Sequence, residues 1–413
     1  MTSERPRLRP DLDAAPLEHE GVPLVVVTDP EGVAEPFIAN VLQYAMLALC
    51  DGTRTRARIL AELPGFMQQQ WGVGPGALKG VPVGSVLDGL LVALDARHML
   101  ATEAARAAIA AHHEAFARAA VREAALAGSC YPTDPAALIQ ALDAHHADVP
   151  APSASGVPRA ILAPHIDHRV GGPTYAHAHA ALGERPTCVV VLGIDHFSRL
   201  DEPFIATRKA FRTPLGLVGT DASALDALEA ACGPRVFAGE RAHRREHSIE
   251  LQLPFLQRRF GADCPPIVPI LCGGWGTHVR NRTSPRGDAA IARVIEWLAE
   301  LVRARTGTLI LASVDLSHFG PKFGDDREAS PKRIAEVEAV DRELIGLIER
   351  GDAEGFWSAV AREGNATHVC GYPAIYATLA ALGPRGGRLL HYAVNREAPT
   401  RSAVSFCAMA YGE

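Results

Sequence analysis

Three histidines follow predicted β-strands, close to the point where each strand ends. His165 comes directly after the apolar segment AILAP, His196 follows CVVVLGI, and His318 follows LILASV after a short polar turn. An aspartate lies within three residues of each histidine. Because ligands bind outside the carboxyl ends of the strands in open α/β sheets, we expect these side chains to gather on one rim. Imidazole and carboxylate groups placed together are suited to metal binding and to proton transfer.

Two predicted helices bring further reactive side chains to this rim. The amphipathic segment EHSIELQLPFLQRRF carries His247 in its first turn, and Cys370 lies just before a helix expected to begin near Tyr372. A helix N-terminus lowers the pKa of a thiol, so Cys370 is expected to be the thiolate, which is the form that binds metals. Two imidazoles and one thiolate would suit iron, copper or zinc and would leave coordination positions open.

Each of these residues also has a plainer interpretation. A single histidine after a strand is more often a hydrogen-bonding residue than a ligand, and a cysteine is most often a buried apolar residue. Glu246 could favour the helix N-terminus without a catalytic role, and Asp315 could cap the loop after its strand. His177 and His179, two positions apart on a predicted helix, point to different faces and are expected to be packing or solvent residues.

The elements that must position the site predict an α/β domain. From residue 159 onward, strand-like and helix-like segments alternate, which favours a mainly parallel sheet flanked by helices. The segments AILAP, CVVVLG, PIVPIL and LILAS are apolar and rich in β-branched residues, as in strands buried on both faces. RLLHYAV and AVSFCAMAY predict two more strands near the end of the chain.

The first hundred residues predict a separate small domain. Apolar residues at helical spacing are interrupted by Asp51-Gly52-Thr53, which predicts helix, turn, helix with Asp51 or Thr53 as a cap. GVGPGALKGVPVG would be a loop or wing, and a further helix is predicted from Ser85. This pattern resembles PqqD-like winged-helix domains. We therefore expect a winged-helix-like domain over 1–102, an Ala-rich linker helix over 103–126 and the α/β domain over 127–413.

Composition limits the class of protein. The chain has 413 residues, enough for two domains, and a formal net charge of −6, which gives no general attraction to nucleic acid or to anionic membranes. The N-terminal segment is charged and the longest apolar runs have strand length, so we expect a cytoplasmic protein without a membrane span. The eight cysteines form no C-x-x-C pair, which argues against a zinc knuckle and against a disulfide framework.

Five segments occur in the order, and at about the spacing, of the motifs of the Memo family: APHIDHRVGG, LGIDHF, EHSIELQLPF, SVDLSHFG and VCGYPAI. GSCYP at 128–132 resembles that family's GSWYP element, so the resemblance covers about residues 127–413. It implies part B of the AmmeMemoRadiSam system, with a radical-SAM pathway partner, and a fold similar to class III extradiol dioxygenases, which use non-haem Fe(II). Carried over motif by motif, the metal ligands fall on His165, His196 and Cys370, and the residues lining the same pocket are His247, Asp315 and His318.

The chain departs from the family pattern at several positions. Asp167 and His168 stand where Gly and Tyr are usual, and they could be an additional ligand, a general base or ordinary loop residues. Phe197 replaces a second polar residue that many relatives have, and Cys130 replaces the usual Trp. Relative to extradiol dioxygenases, Cys370 replaces a carboxylate ligand, so ring cleavage does not simply transfer.

These observations predict a metal-dependent enzyme and leave two alternatives. The first hypothesis is a mononuclear oxidoreductase acting on a small organic substrate, with Fe(II) favoured and Cu or Zn possible; His247 or His318 would move protons and Asp315 would orient one of them. The alternatives are an adaptor that engages peptides through the same pocket, with a structural metal, and a zinc-dependent hydrolase.

The N-terminal domain is expected to bind a peptide or partner protein and not DNA. Residues 1–120 carry ten basic and fourteen acidic side chains, whereas DNA affinity needs clustered positive charge. A docking or dimerisation module without a ligand fits this composition equally well.

Overall fold

A computed structural model describes residues 4–19, 21–150, 156–197 and 201–412 of the chain. The chain divides into two compact units, Met1–Arg118 and Ala119–Glu413. None of the helices in the described residues combines the length and the apolar character needed to cross a bilayer.

The first unit joins a small antiparallel sheet to a group of helices. Its strands, paired in the order β1-β2-β3, are β1 (Asp13–His19), β2 (Val22–Thr28) and β3 (Phe37–Asn40). Its helices are α1 (Val41–Leu49), α2 (Arg56–Trp71), α3 (Val83–Ala96) and α4 (Glu103–Arg118), with a short 3-10 helix at Pro75–Leu78. The unit has its own core, built from fully buried side chains such as Met46, Ile59, Leu63, Leu87 and Leu94.

The predicted pair of helices is present, but the winged-helix interpretation is not confirmed. Helix α2 is capped by Thr55, whose side chain accepts from the Arg58 amide, and not by Asp51 or Thr53. Asp51 instead accepts hydrogen bonds from the amide and the hydroxyl of Thr53 within the turn. Among its described residues, the expected wing region contains the short 3-10 helix and the first two residues of α3 but no strand, and the sheet of this unit comes before the helices in the chain.

The Ala-rich helix is shorter than predicted. Helix α4 ends at Arg118, and a short strand begins at Val121. Arg122 on that strand is buried, and its guanidinium pairs with the buried carboxylate of Glu250. Tertiary pairing therefore overrides the helix propensity of the local sequence.

The second unit contains the remaining elements. Its strands are β4 (Val121–Arg122), β5 (Ala160–Ala163), β6 (Cys188–Ile194), β7 (Phe204–Ala206), β8 (Ala210–Thr213), β9 (Gly216–Val218), β10 (Ile267–Cys272), β11 (Thr308–Ser313), β12 (His318–Phe319), β13 (Gly387–Glu397) and β14 (Ser402–Tyr411). Its helices are α5 (Pro135–His146), α6 (His168–Ala180), α7 (Ala222–Cys232), α8 (His247–Glu250), α9 (Leu253–Phe260), α10 (Gly276–Asn281), α11 (Ala289–Ala304), α12 (Pro331–Glu349), α13 (Ala353–Arg362) and α14 (Tyr372–Leu382). Short 3-10 helices lie at Pro234–Phe237, Glu240–Arg244, Gly261–Asp263, Pro285–Gly287 and Pro321–Phe323.

The main sheet is mixed, and its mainly parallel character is not confirmed. Its order is β12-β14-β5-β11-β6-β10-β7, with β13 paired to β14. The pairs β5/β11, β11/β6 and β6/β10 are parallel, as the alternating sequence pattern predicts. Strand β7 and the three strands β12, β13 and β14 pair antiparallel. A second, smaller sheet has the order β4-β8-β9.

The central strands are buried on both faces, which fits their apolar sequences. Leu162 and Val190 face a core shared with α11 and α14. Ile161 and Val191 face the opposite core, shared with α6 and α9. The unit is therefore α/β with helices on both faces, and the ends of three parallel strands, β5, β11 and β6, meet at one edge.

Candidate metal centre

The structure brings the three predicted ligands together at this edge. His165 follows β5, His196 follows β6, and Cys370 precedes α14. The Cys370 Sγ lies 3.2 Å from the His165 Nε2. One ligand atom from each of the three residues lies within 4.8 Å of those from the other two.

His165 is held in one orientation by the backbone. Its Nδ1 lies 2.9 Å from the Ser313 carbonyl oxygen, to which only a protonated nitrogen can donate. The Nε2 is therefore the nitrogen without a proton, and it faces the Cys370 Sγ. Burial, together with the neighbouring His196 and His247, holds the pKa of His165 well below its usual range. The ring is neutral at physiological pH, as a metal ligand must be.

Glu246 orients His196. The His196 Nδ1 lies 3.1 Å and 3.2 Å from the two carboxylate oxygens, and the His196 amide donates to Oε2 at 3.0 Å. Burial opposes protonation of His196, but the Glu246 carboxylate outweighs it and raises the pKa of this imidazole. Burial alone would also raise the pKa of Glu246, yet the contacts with His196 and His247 hold it well below the usual range. This is the carboxylate–histidine arrangement that fixes a ligand's tautomer and directs Nε2 to a metal.

The same carboxylate holds His247. The Glu246 Oε1 accepts from the amides of His247 and Ser248 at 2.8 Å and 3.0 Å, and it lies 3.1 Å from the His247 Nδ1. The rings of His196 and His247 stack with centroids 4.5 Å apart, and the His165 ring lies 5.1 Å from each. His196, Glu246 and His247 also lie close enough to share a cation. Because backbone amides already occupy the Glu246 oxygens, we assign Glu246 an orienting role.

Asp315 lies behind His165. Its Oδ1 accepts from the His165 amide at 3.0 Å, so it caps the loop that follows β5 and not, as the plainer interpretation held, the loop after its own strand β11. Its Oδ2 is 3.6 Å from the His165 Nε2, which also places it beside the ligands. Burial raises the pKa of Asp315 to about 6, in part offset by the His165 amide.

Cys370 lies where predicted, just before α14, but its protonation differs from the expectation. Burial, and then the neighbouring Asp315 carboxylate, raise the pKa of its thiol well above the usual range. Without a metal the cysteine is a thiol, and metal binding must displace its proton. A Cβ added to Gly371 would lie 2.5 Å from the Val314 Cβ, so only glycine lets this segment approach β11 so closely.

His318 lies to one side of the ligand group. Its Nδ1 is 3.2 Å and 3.1 Å from the carbonyl oxygens of Leu316 and His368, and its ring contacts the Phe323 ring edge-on. Burial, with a smaller contribution from the nearby His196, lowers the pKa of His318 to about 4. Within the described residues, no hydrogen bond joins His318 to His165, His196 or Cys370. His318 is therefore a neighbour of the predicted ligands and not one of them, and its lowered pKa makes it neutral.

Asp167 and His168 take structural roles. Asp167 caps α6 by accepting from the Arg169 amide at 2.8 Å, and it pairs with the Arg169 side chain. The His168 Nε2 lies 2.7 Å from the Leu251 carbonyl oxygen, and its ring packs against Tyr131 and two other aromatic rings. The sequence left open whether these two residues are an additional ligand, a general base or ordinary loop residues. Their contacts favour the last of these.

The pair on α6 behaves as the helical spacing suggests. His179 is buried, 3.0 Å from the Gln252 Oε1, and it stacks on Phe255. His177 is half-buried and stacks on His391 at 4.7 Å between centroids. Among the described residues, neither histidine contacts His165, His196 or Cys370.

Two residues that the sequence did not single out together lie at the mouth of the site. Phe197 follows His196, and the residue is 44% exposed. The guanidinium carbon of Arg245 lies 4.2 Å above the centroid of the Phe197 ring. Their separation in the chain hides this pairing, which only the folded arrangement of β6 and α8 creates.

Comparison with known proteins shows similarity to members of one family. The profile of the family described as Memo-like protein matches residues 122–410. A MEMO1 family protein from Aquifex aeolicus is 28% identical over 390 residues, which covers 94% of this chain and 95% of that protein. Relatives from Thermus thermophilus and Methanopyrus kandleri, also MEMO1 family proteins, are 33% identical over 324 residues and 31% identical over 289 residues. These alignments cover 77% and 66% of this chain, and 90% and 92% of the relatives.

Proposed function

Since the chain belongs to the Memo family, we propose that its second unit is a mononuclear metal-dependent oxidoreductase acting on a small organic substrate, with Fe(II) as the favoured metal. One observation carries the proposal. His165, His196 and Cys370 converge, and an acceptor occupies the Nδ1 of each histidine, so that both Nε2 atoms remain for a metal. Fixed tautomers of this kind are the usual preparation of imidazoles for metal binding.

The donor set fits a transition metal. Bond lengths of about 2.0–2.3 Å in a tetrahedral site place ligand atoms about 3.3–3.6 Å apart. The Sγ–Nε2 distance of 3.2 Å and the overall limit of 4.8 Å are within reach of small side-chain rotations. Thiolate with imidazole favours Fe(II), Cu or Zn over Mg or Ca. When bound, the metal would supply a Lewis-acidic, redox-active position with sites left for oxygen and substrate.

The surrounding residues would orient the ligands and hold protons. Glu246 holds His196 and His247 by their Nδ1 atoms, which leaves the His247 Nε2 to accept or release a proton. The His247 side chain is 27% exposed, so this proton can exchange with solvent. Asp315 fixes the backbone at His165 from the buried side of the site. His247 is thus the better placed of the two predicted proton-transfer histidines, since His318 is tied to carbonyl groups.

The proposal is tested on protein purified without oxygen and loaded with Fe(II). We expect one metal per chain by elemental analysis, loss of most of it in His165→Gln and Cys370→Ser, and oxygen consumption with a suitable organic substrate. His177→Ala, on the same helix as His179 but away from the ligands, is the matched control and should retain the wild-type metal content. A tightly held zinc with hydrolytic activity and no oxygen consumption would replace the proposal by the hydrolase. Full retention of metal in both ligand variants would refute the site.

A further inference from the structure

We propose that Arg245 and Phe197 select the substrate of the metal site, and that this substrate is a small organic carboxylate. Its anionic group would pair with the Arg245 guanidinium, and its planar part would pack beside the Phe197 ring. The inference rests on the proposed function, because it places the substrate at the same metal site.

The pair lies next to residues of the proposed metal site. Phe197 directly follows the ligand His196, and Arg245 directly precedes Glu246, the carboxylate that orients His196. The Phe197 ring centroid lies 6.2 Å from that of His196 and 6.4 Å from that of His247. The Phe197 ring therefore contacts the Arg245 guanidinium and borders both histidines. A single small molecule can touch the guanidinium and still present an atom at the metal.

The Arg245 guanidinium is available to an anion. In the described part of the chain, the guanidinium lies over the Phe197 ring, and no carboxylate pairs with it. Glu246, its neighbour in the chain, directs its oxygens to the amides and rings behind the site. The Asp195 Oδ1 accepts a hydrogen bond from the Phe197 amide at 3.3 Å. The N–H groups of a guanidinium lie in its own plane, so contact with a ring through its face leaves them able to bind a carboxylate with two hydrogen bonds.

Phe197 adds an apolar surface beside this charge. Single exposed apolar side chains are common on protein surfaces and by themselves indicate nothing. Here the ring has a cation on one face and borders two metal-site histidines, so it offers a stacking position within the entrance. Charge and ring together favour an anionic molecule with a flat, unsaturated body over a sugar or an aliphatic amine.

Binding to the full chain loaded with Co(II) tests the inference, because a ligand near the ion changes its visible spectrum. The probes are benzoate, benzamide as its neutral counterpart, and phenyl phosphate. We expect benzoate to bind more tightly than benzamide. Arg245→Gln should raise the benzoate Kd about tenfold or more, since hydrogen bonds to charged groups are lost, and should leave the benzamide Kd unchanged. Phe197→Ala should weaken both, and Arg303→Gln, an exposed arginine on α11, should weaken neither.

Two outcomes would overturn the inference: benzoate binding to Arg245→Gln within twofold of wild type, or benzamide binding as tightly as benzoate. Phenyl phosphate binding far more tightly than benzoate, with the same dependence on Arg245, would overturn the carboxylate assignment in favour of a phosphate ester. Failure of Co(II) to bind refutes the proposed function instead. The probes are then titrated calorimetrically against the metal-free chain, where the same difference between wild type and Arg245→Gln decides whether Arg245 binds the anion.

Discussion

The substitution Glu246→Gln tests the orientation of the proposed metal ligands while it leaves the ligands themselves unchanged. The Oε1 of Glu246 accepts from the amides of His247 and Ser248, and the Oε2 accepts from the amide of His196. A glutamine is nearly the same size and can keep its carbonyl oxygen where Oε1 lies. Its amino group then occupies the Oε2 position, where it faces the N–H of His196 as donor against donor. The carboxylate charge that holds the His196 Nδ1–H is lost as well.

These losses set the expected magnitude. A hydrogen bond to a charged group contributes about 1.5–3 kcal/mol, and changes to residues that orient metal ligands weaken metal binding by about 10–100-fold. We therefore expect the metal Kd of Glu246→Gln to rise by about 10–100-fold, which is about 1.4–2.7 kcal/mol. The helix cap at α8 survives in this variant, because the carbonyl oxygen still accepts the two amides. The metal-free protein should therefore stay folded, although the lost contact with His196 should lower its melting temperature.

The assay is competition for Zn(II) against a chromophoric chelator of known affinity, with thermal unfolding followed in parallel. Glu328→Gln is the matched control, since Glu328 makes an exposed ion pair with Arg401 at the surface. That variant should bind metal as the wild type does. A Kd for Glu246→Gln within twofold of wild type, with the fold intact, would falsify the orienting role assigned to this carboxylate.

Three further predictions concern the ligands, the buried histidines and the buried ion pair. Cys370→Ser should weaken Zn(II) binding more than Glu246→Gln does, because a serine hydroxyl is a poor ligand at neutral pH; equal affinities in the two variants would count against the thiolate. Burial lowers the pKa of His179 to about 3, whereas the pKa of a histidine in the unfolded chain is about 6.5. Between these two pH values the unfolded chain binds a proton at His179 and the native chain does not, so the free energy of unfolding falls as the pH drops from about 6.5 to about 3. His179→Gln should reduce that slope by at most about 1.4 kcal/mol per pH unit in urea unfolding, and an unchanged slope would show that His179 titrates normally. Arg122→Met leaves a buried carboxylate without its cation and should cost about 3–5 kcal/mol in the same assay, whereas Arg401→Met at the surface should cost less than about 1 kcal/mol.

The sequence predicted the parts of the fold that depend on local pattern. Continuous apolar runs mark β5, β6, β10 and β11 correctly, because parallel strands buried on both faces are apolar at nearly every position. The pairing direction of the final strands could not be read in this way. Strand β14 pairs antiparallel to β5 and to β13, and this depends on where the chain returns to the sheet. The end of α4 was also missed, because Arg122 is drawn into a buried ion pair with a partner far along the chain.

The same limit applies to the candidate site. His165, His196 and Cys370 could be named because each stands at the end of a recognisable element or in a motif. Glu246 was predicted only to favour the helix N-terminus, and the structure shows that it caps α8 and also orients His196. The protonation of Cys370 was predicted from its helix alone, whereas burial and Asp315 control it. Contacts between distant segments decide such properties, and a linear pattern does not contain them.

The position of β5 has a consequence for synthesis of the chain on the ribosome. Strand β5 lies between β11 and β14, and His165, a proposed metal ligand, is the second residue after it. When β5 leaves the ribosome, neither neighbour has been made, and β14 is the last strand in the chain order. Closing contacts over nearly the whole length of a domain slows folding and leaves strand edges exposed meanwhile. The nascent chain must therefore keep an apolar strand edge from aggregating until almost all of the unit has emerged, and the three ligands can meet only after that point.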